Sequence, residues 1–310
     1  MIRVFILLVI VISFFSCGKD ATDISATPVN INTAQDLSSV DVFNDELIVV
    51  GGEVFQQGVM LRGKNQSWTV QDTLSDKRLF GIDCSEEYCS AVGQDGYYYL
   101  YTPDDGWTFI RLSNWDFQRA TSITASHIVS VSGKSFADGY IYHITPDHVI
   151  DNVLPFEFQL QDVAAINDST FVAVGYGAIL RSTDGGYTWT HIDQEGDFYH
   201  SVDFIDEQNG VIIGQAGSIL LTADGGKSWE ATKSPATLSS SRDHFLSVKY
   251  INNAEIYIVG DKGLLWHSTD GGDSWNAMKV NTNQNLNDLA VLDGMLYLVG
   301  DNGYLGVIEL

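Results

Sequence analysis

Apolar runs that end in glycine recur along the chain, each followed by a short loop, a second glycine and another apolar run. The copies are "LIVVGGEVFQQGVML" from Leu47, "CSAVGQDGYYYLY" from Cys89, "IVSVSGKSFADGYIY" from Ile128, "FVAVGYGAIL" from Phe171, "VIIGQAGSIL" from Val211, "IYIVGDKGLLW" from Ile256 and "LYLVGDNGYLGVI" from Leu296. Their anchors, Gly51, Gly93, Gly133, Gly175, Gly214, Gly260 and Gly300, are spaced by 42, 40, 42, 39, 46 and 40 residues. Before each anchor lies a second apolar stretch, as in "LFGIDC" from Leu79, "YHSVDF" from Tyr199 and "FLSVKY" from Phe245. Short alternating stretches between turn residues predict strands, and no segment of helical period competes with them. Four strands per unit, repeated seven times, predict an all-β chain: a seven-bladed β-propeller of four-stranded blades.

Three units carry a near-identical box after the third predicted strand: "STDGGYTW" from Ser182, "TADGGKSW" from Thr222 and "STDGGDSW" from Ser268. The positions that recur are Ser182, Asp184, Gly186 and Trp189; Thr222, Asp224, Gly226 and Trp229; and Ser268, Asp270, Gly272 and Trp275. A looser copy, "TPDDGWTF", supplies Thr102, Asp104 and Gly106. Unchanged chemistry repeated in several units suits a joint better than an active site, which is built once from dissimilar residues. The Asp can cap N–H groups of its own turn, the Gly supplies positive φ, and the Trp offers a large anchor. The last unit stops at Leu310 after its third strand, so Ile24 to Ile31 is expected to supply its outer strand and close the ring. Pro28 is tolerable on an outermost strand.

The boxes resemble Asp-box (BNR) repeats, and the longer unit "VGYGAILRSTDGGYTW" is similar to the photosystem II stability/assembly factor family of seven-bladed propellers. The resemblance covers Asp36 to Leu310 and is strongest from Phe171 to Trp275. It implies the propeller fold, and relatives in non-photosynthetic bacteria are often exported lipoproteins. Asp-boxes also occur in sialidases, which resemble one another in an arginine triad, an Arg-Ile-Pro motif and a Tyr nucleophile paired with Glu. No Arg-Ile-Pro occurs in this sequence.

The N-terminus changes where such a fold is expected to work. Arg3, an apolar run from Val4 to Ile12 and "SFFSCGKD" read as a signal peptide over residues 1–16, too short for a comfortable membrane span. Phe14 to Cys17 resembles a lipobox with Phe14 in place of the usual Leu, which makes Cys17 the expected lipidation site. Residues 17–30 then form the lipidated Cys and a polar tether running into the closing strand, and 31–310 the propeller. Lys19 and Asp20 look like the export signal of Bacteroidetes surface lipoproteins, which implies a surface-exposed outer-membrane protein, with a periplasm-facing one as the alternative. Lys and Arg number 16 against 40 Asp and Glu, a net charge of −24, so nucleic acid is not an expected partner.

Cys84 and Cys89 flank "SEEY" and either form a disulfide in an oxidising compartment or stay two small hydrophobes. The seven His are scattered without a repeating Cys/His spacing, so neither a metal nor another cofactor is expected. Arg78, Arg119 and Arg242 each precede an innermost strand, where loops open onto the propeller mouth. They could grip an anionic ligand or an acidic patch of a partner, or be solvated loop residues. Trp115, Phe117, Phe198 and Tyr199, with Phe55 and Phe136 in the longest glycine-to-glycine loops, are aromatic residues in the same segments. Aromatics with Arg anchor protein interfaces, although such rings can also fold back to cap a channel. The pattern points to a lipid-anchored envelope propeller acting as a non-enzymatic interaction or assembly module for envelope protein partners. The alternatives are a sialidase-like or other carbohydrate-active enzyme and a glycan-binding surface lipoprotein.

Overall fold

Each glycine-ended run forms the second strand of an antiparallel sheet, and Cys89–Gly93, Phe171–Gly175, Gly210–Gly214 and Ile256–Gly260 are buried at every position. A strand sandwiched between two neighbouring blades has no solvent face, which is why these runs are continuously apolar rather than alternating. A computed structural model describes residues 21–71, 76–147, 149–194, 196–233 and 243–310. The expected signal peptide, Cys17 and Arg242 lie outside the described residues. Seven sheets of at least four strands follow one another: six are built on meanders of four consecutive strands, and the last joins three consecutive strands to a strand from the N-terminal segment. The inner strands, Leu37–Phe43, Leu79–Cys84, Gln118–Ile123, Leu160–Ala165, Tyr199–Phe204, Phe245–Tyr250 and Leu286–Leu292, pack side by side around a central channel. The core sits between blades: Val172, Val174 and Ile179 of the fourth blade meet Val202, Ile212 and Leu220 of the fifth.

The anchor glycines repeat because of a close approach. A Cβ on Gly51, Gly175, Gly260 or Gly300 would lie 2.0–2.1 Å from the carbonyl oxygen of Asp36, Gln159, His244 or Asn285, each next to an inner strand's start. The same carbonyls accept the N–H of the residue after the glycine, from Gly52 at 2.8 Å, Tyr176 at 2.9 Å, and Asp261 and Asp301 at 3.1 Å. The backbone of each second strand therefore closes onto the entrance of its own inner strand.

The N-terminal segment closes the ring as its sequence suggests, and does more. Thr27 and Pro28 pair antiparallel with Val307 and Gly306 as the outer strand of the seventh blade, and the Val29 N–H donates to the Leu305 carbonyl at 2.8 Å. Thr22–Ile24 adds a fifth strand to the sixth blade, parallel to Met278–Val280, which the sequence reading did not anticipate. Ala26, Val29 and Ile31 are buried, so one short segment fastens two blades. Cys84 and Cys89 sit directly opposite on the inner and second strands of the second blade and are joined as a disulfide.

The three full boxes form one hydrogen-bond network three times. In the fourth blade the Ser182 hydroxyl donates to Asp184 Oδ1 at 2.8 Å and accepts from the Gly186 N–H at 3.0 Å. Asp184 in turn accepts from the Thr188 N–H at 2.9 Å and the Thr188 hydroxyl at 2.6 Å. Asp224 and Asp270 repeat these contacts with Ser228 and Ser274. Gly186, Gly226 and Gly272 have positive φ, and a Cβ there would strike Val129, Val172 or Leu221 of the preceding blade. The boxes are inter-blade joints. The fourth copy is weaker: Thr102 accepts from the Asp105 N–H, and Gly106 already begins the outer strand. Asp184→Ala is expected to cost about 1–2 kcal/mol by freeing the turn's N–H groups, read as a lower denaturation midpoint with an unchanged m-value.

Candidate functional site at the propeller mouth

All seven inner strands begin with the same irregularity. Their pairing with the second strand slips by one residue between Leu37 and Ser39, Leu79 and Gly81, Gln118 and Ala120, Leu160 and Asp162, Tyr199 and Ser201, Phe245 and Ser247, and Leu286 and Asp288. A bulge leaves its extra residue unpaired and re-aims the side chain. The seven residues so placed are Ser38, Phe80, Arg119, Gln161, His200, Leu246 and Asn287, and every one lines a central cavity of about 420 Å³. The mouth is therefore a ring of bulge residues, one from each blade.

Arg78 and Arg119 converge there. The Arg78 guanidinium pairs with Asp36 at 3.1 Å, donates to the Ser38 hydroxyl at 3.1 Å, and lies 5.5 Å from the Phe80 ring centroid. Arg119 stands over both Phe80 and Phe117, at 5.2 and 5.3 Å. Its Nε donates to the Gly133 carbonyl at 3.4 Å, and it has no ion-pair partner among the described residues. Burial, with Arg78 beside it, lowers its pKa to about 10, so it remains a cation at neutral pH. Neither arginine is a freely solvated loop residue. Arg119 lies one step deeper than its expected place before the strand, as the strand's second residue.

The aromatic residues divide. Phe117 meets Phe80 at 5.7 Å and Phe55 at 6.1 Å, and Phe198 meets Phe136 at 5.6 Å and Tyr176 at 5.7 Å. Trp115 is 76% exposed and makes no ring contact among the described residues. Tyr199 is a correction to the expected site: it is buried in the core between the fourth and fifth blades. As the first residue of its strand it points into the blade, and the bulge sends the next residue, His200, into the mouth. The His200 Nε2 is buried without a hydrogen-bond partner among the described residues, and burial lowers its pKa to about 4, which leaves it neutral. Sequence reasoning missed His200, Gln161 and Asn287; the position just after each inner strand's first residue was the signal available.

Below the mouth the channel carries a polar ring that joins the blades. Asp41, Asp83 and Asp203 each accept a backbone N–H from the next blade at 2.7 Å, from Cys84, Ile123 and Tyr250. Asp162 and Asp288 do the same at 2.9 Å with Val202 and Val40, and the Ser122 hydroxyl accepts from the Ala165 N–H at 3.0 Å. Burial raises the pKa of Asp41 and Asp203, pushes Asp83, with Asp41 beside it, up to about 8, and pushes Asp162 up to about 6. Lys249 faces this ring. Burial alone would push its ammonium down, but Asp203, Asp288, Asp41 and Asp83 hold it above its ordinary range.

These shifts set a pH dependence. A carboxyl with a folded pKa above the unfolded value of 3.8 binds more protons folded than unfolded between the two values. Its contribution to stability therefore falls as pH rises through that window. The melting temperature is expected to be higher near pH 5.5 than near pH 8.5, as a pH series of thermal melts would show.

A family model described as Photosynthesis system II assembly factor YCF48 matches residues 190–288. Among solved structures, the chain is similar to YCF48 bound to D1 peptide, at a TM-score of 0.70 and 17% identity over 94% of this chain and 99% of that one. YCF48 from Cyanidioschyzon merolae aligns at a TM-score of 0.66 and 14% identity, covering 91% of this chain and 98% of its own. Virginiamycin B lyase from Staphylococcus aureus aligns at 0.74 and 10% identity, covering 92% and 98%. Comparison with curated proteins finds no match. The chain is an Asp-box β-propeller that resembles the photosystem II assembly factor propellers, and at these identities the structural likeness establishes the fold.

Proposed function

We propose that the protein is a lipid-anchored cell-envelope propeller that holds a protein partner at its mouth as a non-enzymatic assembly module. One observation carries the reading. In a chain of net charge −24, two guanidiniums are stacked on Phe80 and Phe117 at the channel entrance, and that of Arg119 has no carboxylate partner among the described residues. A cation held this way is ready for a carboxylate brought by a ligand, and flanking aromatics supply apolar area. The likeness to YCF48, one structure of which is bound to D1 peptide, supports a polypeptide as the ligand class. The channel carboxylates, which a hydrolase reading would need as a catalytic pair, accept backbone N–H groups between blades. Anchoring at Cys17 and exposure on the cell surface through Lys19 and Asp20 rest on the sequence pattern alone.

Affinity capture of the full-length protein from its own membranes tests this reading, with wild type compared against an Arg119→Gln/Trp115→Ala variant. A discrete envelope protein retained by wild type and lost by the variant, at nearly the same melting temperature, is the expected result. Enrichment of glycans, or cleavage of sialosides abolished by Arg119→Gln, would replace the assembly reading with a carbohydrate-directed one. Cys17→Ala is expected to release the protein from membranes or block its maturation; unchanged fractionation would remove the lipid anchor from the account.

A further inference from the structure

The turn between the second and third strands, on the mouth face, has a left-handed residue in every blade. Across the seven it is Phe55, Asp95, Phe136, Gly177, Gly217, Lys262 and Asn302, with φ from 54° to 85°. Glycine, Asn and Asp are the ordinary occupants of such positions, and a bulky side chain there is disfavoured. Five blades of this chain show that the turn itself does not require phenylalanine. The two that use it write the same frame, Gly-x-x-Phe-x-x-Gly, from Gly52 to Gly58 and from Gly133 to Gly139.

Burial does not explain these rings either, because Phe55 is 67% and Phe136 55% exposed. Both are nevertheless held in place from beneath. The Phe55 N–H donates to Gln94 Oε1 at 2.7 Å and the Phe136 N–H to Gln159 Oε1 at 3.2 Å, and both glutamines are buried residues of the next blade. Each exposed ring then heads a short row around the mouth: Phe55 with Phe117 and Phe80, and Phe136 with Tyr176 and Phe198. An apolar ring displayed in a disfavoured backbone conformation, and pinned by a neighbouring blade, is preorganised to meet something outside the chain.

We infer that Phe55 and Phe136 are specificity-determining residues of the mouth, which grip an aromatic or large aliphatic side chain of an extended, carboxylate-bearing segment of a partner protein. The inference rests on the reading of the mouth as a protein-binding site and names what that site selects. Charge fixes the carboxylate: the body of the chain is strongly acidic, whereas Arg119 beside these rows is a cation without an ion-pair partner among the described residues. A stacked sugar fits less well, because guanidiniums already lie over the Phe80 and Phe117 rings, and Phe136 meets Phe198 edge to face.

The probe is a displayed library of random nine-residue peptides with free C-termini, selected on the full chain and on two variants, Phe55→Gly/Phe136→Gly and Arg78→Gln/Arg119→Gln. Wild type is expected to enrich peptides with an aromatic or large aliphatic residue close to Asp, Glu or the C-terminal carboxylate. The best of these, synthesised, should bind the double-glycine variant about tenfold or more weakly. That variant should melt at or near the wild-type temperature, since glycine suits the left-handed turn. Unchanged binding by the double-glycine variant, with loss in the arginine variant, would overturn the inference and leave the mouth as a protein site. Peptide binding indifferent to both variants, or no enrichment at all, would overturn the inference together with the mouth reading. Selective binding on a glycan array that depends on Trp115 would assign the aromatic residues to sugars instead.

Discussion

Lys249→Met is expected to destabilise the propeller by about 2–4 kcal/mol near pH 8.5, because it strips the shared cation from a ring of half-buried carboxylates that line the channel. Lys249 takes the position on the sixth inner strand that Asp41, Asp83 and Asp203 take on theirs. Those carboxylates already carry the cost of burial, visible in their raised pKa values, and Lys249 is the cation they share. Protonation offers the variant a second route to neutrality. The deficit should therefore shrink as pH falls toward 5.5, and the variant's stability should depend on pH more steeply than that of wild type. Denaturant titrations of both proteins at the two pH values measure this directly. Equal stability at the higher pH would mean that the channel carboxylates do not need the ammonium.

Trp229→Ala should produce a loss of similar size, about 3–5 kcal/mol, because the ring leaves a cavity between two blades that cannot collapse. Trp229 is 8% exposed, packs edge to face on Phe204 at 5.8 Å, and belongs to the same cluster as Val172 and Val174 of the preceding blade. Trp189 and Trp275 occupy the same box position but are only partly buried, each donating its indole N–H to a glycine carbonyl at 2.9 Å. Their alanine variants should lose less. Chemical denaturation of the three single variants gives the order, and a Trp229→Ala loss below about 1 kcal/mol would contradict an inter-blade joint.

The features that could be read from the sequence are those that repeat. The glycine anchors recur because a second strand closes onto its own blade's entrance, and the boxes recur because each joins its blade to the one before, so blade number, strand order and ring closure all follow from pattern. What could not be read depends on one residue of register. Tyr199 and His200 are both ring residues at a strand's start, and only the bulge decides that the first faces the core and the second the mouth. Strict alternation cannot reveal a slip that reverses it after one step. The carboxylate ring was hidden for another reason. Asp41, Asp83, Asp162, Asp203 and Asp288 lie in different units and at more than one depth, and their common partner, a backbone N–H of the neighbouring blade, has no sequence signature. The parallel strand Thr22–Ile24 was equally obscure, because its pairing is made with backbone more than 250 residues away.

Site-directed photo-cross-linking in intact envelopes tests the central claim, that the mouth face is where the propeller meets a protein partner. A photoreactive residue is placed at position 136 on the mouth face, or at position 187 in the box turn on the opposite face. The account predicts that position 136 traps one discrete protein, and that position 187 traps none or only background. The same product from both positions, or a discrete product from position 187 alone, would contradict it.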